Sequence, residues 1–483
     1  MARLRRCAWL MGTAVLSACS LAPPYRVPDT PVAAAYKTSA PWTVAAPADQ
    51  LDRAHWWTLY REPQLDELEQ RLIANNHDLR AAYFHYVQSQ AFVKEARSQL
   101  YPDVSAAGNV QRARQSDTAP FRTTAVPTDY NNAALGVEVD YEVDLWGRVR
   151  DSVAASNEES QAAKADLAST QLSLEIELAR SYLDLRGDDQ QIQVLDDTID
   201  AYQKALELTR KRHDGGVAAE LDVARATTQL SFAQSELTQA QAKRALLEHA
   251  IAALVGASAS DFAIAPSVAP VALPAIPVGV PSALLQRRPD VAAAERRIAA
   301  ANSEVGVARS AYFPSLTLSA QGGFQSSIYA DLLSLPSSYW AIGPTLATYL
   351  FDGGKRRARV EAEKAGTAEA GERYRSVVLA SFRQVEDDLS LLTQLGTATA
   401  QVQQAADSAG LSVNLALSRY RQGVVSYLEV VDAQTAALTA QRSAIEIRTR
   451  QLDANVDLIR ALGGGWRYDD LGSSTDAAPS GSS

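Results

Sequence analysis

The chain writes the same stretch twice, and that repeat limits its folds more than any other feature. Arg419–Gln434 reads RYRQGVVSYLEVVDAQ, and Arg212–Thr227 reads RHDGGVAAELDVARAT. At a spacing of 207 residues, Arg212 falls on Arg419, Gly216 on Gly423, Val217 on Val424, Leu221 on Leu428 and Val223 on Val430. Val255-Gly256 falls on Leu462-Gly463 in the same way. Upstream the spacing is 212: Ala96-Arg97-Ser98 and Pro102 fall on Ala308-Arg309-Ser310 and Pro314, and Asp78 on Asp290. A unit of roughly 200 residues is too long for a solenoid repeat, so the chain is a duplicated domain half. In each copy a helical pattern runs into a glycine and another runs out. Glycine supplies the backbone freedom that such a turn needs.

Each copy follows one plan. Trp56, Trp57, Leu59 and Tyr60 precede a helix predicted from about Gln64 to Leu100, and Tyr101-Pro102 ends it, because the residue before a proline leaves the helical region. Val104–Gln115 reads as a weakly alternating strand, and a turn-rich segment with Asp117, Pro120, Pro127 and Asp129 follows. Ala133–Asp144 alternates clearly. Leu135, Val137, Val139, Tyr141 and Val143 share one face, and Gly136, Glu138, Asp140, Glu142 and Asp144 share the other. That period of two marks a half-buried strand, and it also fits a membrane barrel strand with its polar side toward a lumen. The second copy repeats the plan with Leu316–Phe324, a loop holding Pro336, and Tyr339–Phe351. Two hairpins give four strands, too few to close a membrane barrel, and lipid does not tolerate open edges.

After each hairpin comes a long run without proline, Trp146–Arg212 and about Lys355–Arg421. Each is on the order of 100 Å long at ~1.5 Å per residue. Leu178, Leu185, Ile192, Ile199 and Leu206 recur every seven residues, with Leu195 and Tyr202 between them. Phe382, Val385, Leu389 and Leu392 keep the same seam in the second copy, and Leu438, Ile445, Leu452 and Ile459 carry it past the break. Such spacing predicts coiled-coil packing. Between the copies, Ala265–Pro281 holds five prolines and reads as a non-helical linker. The tail from Gly472 is small and polar, a composition that predicts disorder.

The N-terminus carries its own signal. Arg3, Arg5 and Arg6 precede the apolar stretch Ala8–Leu16, then Ser17-Ala18-Cys19. The layout is that of a secretory signal and is too short for a transmembrane helix. Leu-Ser-Ala-Cys matches the bacterial lipobox, in which the cysteine becomes the lipidated N-terminus. The plainer alternative is an ordinary signal cleaved near Ala18, with Cys19 incidental. Once Cys7 leaves with the signal, Cys19 is the only thiol, so an intrachain disulfide is ruled out. Ser20 in the next position favours the outer membrane over the inner.

Composition and motifs argue against several functions. The net charge is −10, so no nucleic-acid partner is expected. Gly353-Gly354 and Gly463–Gly465 lie at predicted helix ends without the Lys-Ser/Thr of a phosphate loop. His77 and His85 stand eight apart, and no cysteine or histidine cluster has metal-ligand spacing. Adjacent acids such as Asp387-Asp388 read as solvated helix side chains. The expectation is therefore no catalytic residue, no metal and no cofactor, in a chain that transports, binds or scaffolds.

Taken in order, these motifs resemble the outer-membrane factor family of efflux systems, the TolC, OprM and NodT-like group, in its lipoprotein branch. The marks are the lipobox, His55-Trp56-Trp57 with Leu65, Asn75-Asn76-His77-Asp78-Leu79-Arg80, and ARSQLYP at Ala96–Pro102. DLWGRVR at Asp144–Arg150, LLQRRPDVAAAE at Leu284–Glu295, LFDGGKRR at Leu350–Arg357, RYRQGV, EVVDAQ and ALGGGW at Ala461–Trp466 complete them. The resemblance implies a mainly α fold with a membrane β-barrel portion. Three identical chains would give four strands each to a twelve-stranded barrel, above a homotrimeric α-helical barrel crossing the periplasm. It implies a passive exit duct in the outer membrane, fed by an inner-membrane pump through a periplasmic adaptor. Alternatives are the duct of a type I protein secretion system and a non-conducting periplasmic coiled coil.

The resemblance also assigns the two glycine breaks to the periplasmic tip. Gly215, Gly216, Val217, Gly423 and Val424 would meet the adaptor. Asp432 falls on a ring of tip aspartates, Leu428 on an apolar constriction, and Glu429 on a second acidic ring. Tyr420 and Asp222 fall on a pair that bonds neighbouring hairpins in the closed state. Where relatives place an arginine near the tip, this chain has Val425 or Thr435, and Gly215 stands where the other tip has Gln422. The expected organisation is a signal peptide (1–18), a segment leading from lipidated Cys19 (19–63), a first repeat (64–256) and a Pro-rich linker (257–281). A second repeat (282–463) and a tail (464–483) follow. The first hairpin is set at about 103–144 with helices over 146–256, and the second at about 315–351 with helices over 353–463.

Overall fold

The computed structural model describes residues 20–30, 36–37, 53–118, 127–276 and 287–466. Cys19, part of the linker and the tail beyond Trp466 lie outside the described residues. After a 3-10 segment at Arg53–Tyr60 come α1 (Pro63–Asn75), α2 (His77–Ser98), β1 (Asp103–Arg114) and β2 (Asp129–Val143). Then follow α3 (Arg148–Asp214), α4 (Glu220–Leu254), α5 (Pro289–Ser310), β3 (Ser315–Ser326) and β4 (Ser338–Ala347). The chain closes with α6 (Lys355–Arg421) and α7 (Tyr427–Ala461).

The duplication is written into these bounds. Both α3 and α6 hold 67 residues, and α4 and α7 each hold 35. Both α2 and α5 hold 22, and β1 and β3 each hold 12. Among these paired elements β2 and β4 differ in length, with 15 and 10 residues.

Contacts divide the chain into two compact units, each made of matching pieces of both copies. The first comprises Met1–Asp29, His85–Ala163 and Ala294–Tyr374. Its centre is a four-stranded antiparallel meander in the order β1-β2-β3-β4. The register sets Val104 opposite Val139, Val139 opposite Ala320, and Ala320 opposite Ile342. Val137, Gly322 and Trp340 line up in the neighbouring row. Directly paired residues share a face, so the apolar positions of all four strands fall on one side. Asp140, Ser319 and Gly343 align on the other, where the Ser319 hydroxyl donates to Asp140 Oδ1 at 2.5 Å. The apolar side is uncovered within the chain: Trp340 is 79% exposed, and Val104, Val110, Ile342 and Leu346 are exposed with it. Both edges of the sheet, β1 and β4, are unpaired among the described residues.

The strand ends are fixed by side chains of DLWGRVR. The Arg148 guanidinium grips the Glu142 carboxylate through Nε and Nη2, both at 2.7 Å. Asp144 accepts the backbone N–H of Arg150 at 3.0 Å and so caps the first turn of α3. Trp146 stacks on Phe313 at 4.6 Å and donates its indole N–H to the Pro314 carbonyl at 2.8 Å.

The second unit comprises Thr30–Phe84, Lys164–Ala293 and Arg375–Ser483. Its main core joins Trp56, Trp57 and Tyr60 to Leu65, Leu68 and Leu72 of α1 and to the heptad faces of α3, α6 and α7. Leu178, Leu185, Val385, Leu389 and Leu452 from the predicted seams are all buried there. Each such side chain contributes about 1.5–3 kcal/mol by leaving water. Trp56 donates to Glu175 at 3.2 Å and Tyr60 to Asn455 at 2.7 Å, which satisfies polar groups that burial would otherwise penalise.

Two expectations change. The single helix predicted from Gln64 to Leu100 is broken at Asn76, whose side chain accepts the Leu79 N–H at 2.8 Å and donates to the Leu254 carbonyl at 2.8 Å. An N-cap that also ties down α4 is worth more than continuing the helix. The strand expected to reach Phe351 stops at Ala347. Its partner β3 begins at Ser315 opposite Ala347, just after Pro314, so Thr348–Phe351 has no neighbour in the chain to pair with.

Candidate functional site

The two glycine breaks lie in the second unit, at the turns α3–α4 and α6–α7. Gly216 and Gly423 take φ of +73° and +79°, where a side chain is strained. Gly216 N–H donates to the His213 carbonyl at 2.8 Å and Val217 N–H to the Arg212 carbonyl at 2.8 Å. Gly423 N–H donates to Tyr420 at 2.9 Å and Val424 N–H to Arg419 at 3.0 Å. These are two Schellman caps of the same form. Val217 and Val424, equivalent residues just past the glycines, are exposed at 68% and 62%. Gly215 is exposed too and bonds back to the Lys211 carbonyl at 3.1 Å.

Beneath the turns the two tips diverge. Tyr420 and Tyr427 are buried against each other at 5.3 Å, in a cluster with Ala205, Leu206, Ala226 and Val430. Burial raises the Tyr427 hydroxyl above its ordinary pKa, with Tyr420, Tyr202 and Asp222 adding to it. At the matching positions of the first tip stand His213 and Glu220, whose side chains meet at 3.0 Å. The His213 ring also lies 3.0 Å from the Ala218 carbonyl. Arg212 leaves the first tip altogether. Its guanidinium lies 4.5 Å over the Tyr420 ring and donates to the Tyr420 carbonyl, an added cap on α6. Its counterpart Arg419 is half exposed and pairs with Glu429 at 3.6 Å.

The sequence-derived residues fall on different surfaces. Leu428, Glu429 and Asp432 are exposed on α7. Leu428 and Asp432 share a face one turn apart. Among the described residues Asp432 has no hydrogen-bond or ion-pair partner. Tyr420 and Asp222 are not joined within the chain. The Tyr420 hydroxyl lies 3.3 Å from Thr209 Oγ1, and Asp222 faces Arg225 at 3.7 Å. Arg212 lies above the Tyr420 ring and Tyr427 beside it. Val425 packs against the tyrosine cluster. Thr435 accepts from Gln229 at 3.1 Å.

From the sequence alone Thr209 and Tyr427 do not stand out, and Arg212 does so only as a repeated residue. The signal for Arg212 was present in its exact repetition as Arg419. Nothing in the spacing told that one copy would reach across and the other would stay.

The outer membrane efflux protein family matches residues 68–257 and 280–464. A probable efflux pump outer membrane protein of Pseudomonas putida, TtgC, is 32% identical over 469 residues, covering 96% of both chains. The outer-membrane channel OprN aligns in structure with a TM-score of 0.83 at 30% identity, over 93% of this chain and all of its own. A membrane protein from Pseudomonas aeruginosa aligns with a TM-score of 0.86 at 28% identity, over 95% of this chain and all of its own.

Proposed function

The chain belongs to the outer membrane efflux protein family, and on that footing we propose that it is the outer-membrane exit duct of a tripartite efflux system. One observation supports this reading most: a meander whose four strands turn one apolar face outward and leave both edges open. A sheet of this kind is stable in lipid only as part of a closed barrel. Four antiparallel strands per chain bring β4 of one copy beside β1 of the next in antiparallel sense. Three copies make a barrel of twelve, and the 67-residue helices continue it as a duct. Transport would be passive, with energy supplied by an inner-membrane pump that reaches the duct through a periplasmic adaptor.

In this reading the duplicated halves, 64–256 and 282–463, alternate around the ring. The glycine turns form its periplasmic tip. Exposed Val217 and Val424, with Gly215, Gly216 and Gly423, present the apolar and backbone surface that an adaptor hairpin would take. Leu428 and Asp432, turned away from the chain's own core, would line a stacked apolar and acidic constriction. Glu429 would add a second acidic level, and Tyr420 with Asp222 would lie at the seam between hairpins. Cys19 would carry the lipid that adds to outer-membrane attachment.

Purified protein should run near three times the mature chain mass in detergent. In planar bilayers it should conduct in discrete steps, and cells lacking it should accumulate efflux substrates. A stable monomer that never conducts would exclude a duct.

A further inference from the structure

Ser20–Tyr25 does not hang free but lies in a seat on the first unit. The Ser20 hydroxyl donates to Asp151 Oδ1 at 2.6 Å, in the first turn of α3. From α5, Arg309 Nη1 donates to the Leu21 carbonyl at 3.0 Å and Asn302 Nδ2 to the Pro23 carbonyl at 2.8 Å. The Tyr25 hydroxyl donates to Glu295 Oε1 at 2.5 Å. The seat therefore joins a helix of the first copy to one of the second.

Its floor is shaped for backbone. A Cβ on Gly306 would collide with Asp151 Oδ2 and would stand 2.8 Å from the Ala22 nitrogen. Asp151 is 5% exposed, and Glu295 and Asn302 are also buried. Buried polar groups without partners are costly, and here the segment supplies partners for Asp151 Oδ1, Asn302 Nδ2 and Glu295 Oε1. Burial raises the Asp151 carboxyl above its usual range, while the Ser20 hydroxyl and Leu21 N–H favour its charged form.

The place of the seat matters. Asp151 lies only about 5 Å along α3 from its start, at ~1.5 Å per residue, and α3 follows directly on the end of β2. Ser20 follows Cys19 directly in the chain. We infer that Asp151, Asn302, Gly306, Arg309 and Glu295 form a receptor for the mature N-terminus. It holds a lipid on Cys19 at the level where the sheet meets its helices. Anchor and sheet then grip the same phospholipid leaflet without slack between them. This rests on the reading of Cys19 as lipidated.

The Arg26–Val27 bond is exposed but reports on the seat, because trypsin must take the residues before it, Tyr25 among them, into its cleft, and that requires Tyr25 to leave Glu295. The full chain, labelled with radioactive palmitate and purified in detergent, is digested briefly and its fragments weighed. The wild-type bond should persist. Gly306→Val should speed its cleavage about tenfold, and the fragment lost should carry the label. Ser20→Ala with Tyr25→Phe, which leaves every receptor residue in place, should do the same and serves if Gly306→Val does not fold. Equal cleavage in wild type and in Ser20→Ala/Tyr25→Phe would overturn the seat. A wild-type chain protected at this bond but free of label would overturn the anchor, and the receptor would then hold an unlipidated end.

Discussion

The two helix tips share a backbone and differ in what lies beneath it. Positions 213 and 220 hold a histidine and a glutamate at 3.0 Å, with Glu220 79% exposed. Positions 420 and 427 hold two buried tyrosines. Both tips close with the same cap on a glycine, so the duplication conserved the turn and released the packing. The consequence is directional. The wet first tip sends Arg212 to cover the dry second one, and the second returns nothing equivalent. The first tip acts as a support and the second as the supported face, which is where Leu428 and Asp432 stand.

The strongest way to break this contrast is to exchange the pairs. Tyr420→His with Tyr427→Glu should cost roughly 3–5 kcal/mol of local stability at the second tip, read as faster amide exchange across α6–α7. The reciprocal His213→Tyr with Glu220→Tyr should change the first tip by less than about 1 kcal/mol. Equal losses at both tips would refute the division into support and face.

A pH series contrasts the dry tip with the main core of the same unit. Asp222, the carboxyl beside the tyrosine cluster, is only half-buried, whereas carboxyls in the main core region are shifted strongly by burial. Burial pushes Glu175, Asp388 and Asp453 up to about 7. Burial, then Glu175 and Asp66, hold Glu69 well above the carboxylate range. Unfolded carboxyls ionise near pH ~4, so above that the unfolded chain releases protons that the folded one keeps. The part of core stability due to Glu175, Asp388 and Asp453 should therefore be full below pH ~4, fall as pH rises to about 7, and then level, while the part due to Glu69 keeps falling until that group ionises. Glu69→Gln should flatten that slope. Exchange of α7 amides near Asp453 should follow it, and exchange near Tyr427 should not.

Arg212 and Arg419 test the direction of support. Arg212→Ala removes a charged cap and a stacked cation, and should cost about 1.5–3 kcal/mol at the second tip. Arg419→Ala removes an exposed pair worth roughly 0–1 kcal/mol. Differential scanning and exchange of α6 amides separate the two. The smallest effect on stability belongs to Asp432→Ala, within about 0.5 kcal/mol, as for other exposed sites. Its effect should instead be on conductance, with weaker block by divalent cations from the periplasmic side. Block as strong as in wild type would move the constriction away from Asp432.

Much of this molecule was legible in its sequence because the decisive properties are local. Alternation fixed the faces of β2, since a strand has a period of two whatever it pairs with. Heptad spacing fixed the buried stripe of α3 and α6, and Gly216 and Gly423 fixed the turns, because only glycine takes their φ without strain. Leu428, Glu429, Asp432, Tyr420 and Asp222 stand in the helix turns on either side of the two glycine breaks, but their partners were not legible. Tyr420 lies against Thr209 rather than Asp222, with Arg212, 208 residues away, over its ring. β4 stops at Ala347 because β3 starts after Pro314, and the helix from Pro63 breaks at Asn76 because Leu254 offers a carbonyl. The docking of Ser20–Tyr25 depends on a gap at Gly306 that belongs to another helix. Period, sterics and capping act within a few residues and can be read along the chain. Pairing, close approach and cover are made by residues far apart in sequence, and only the folded structure decides which of them meet.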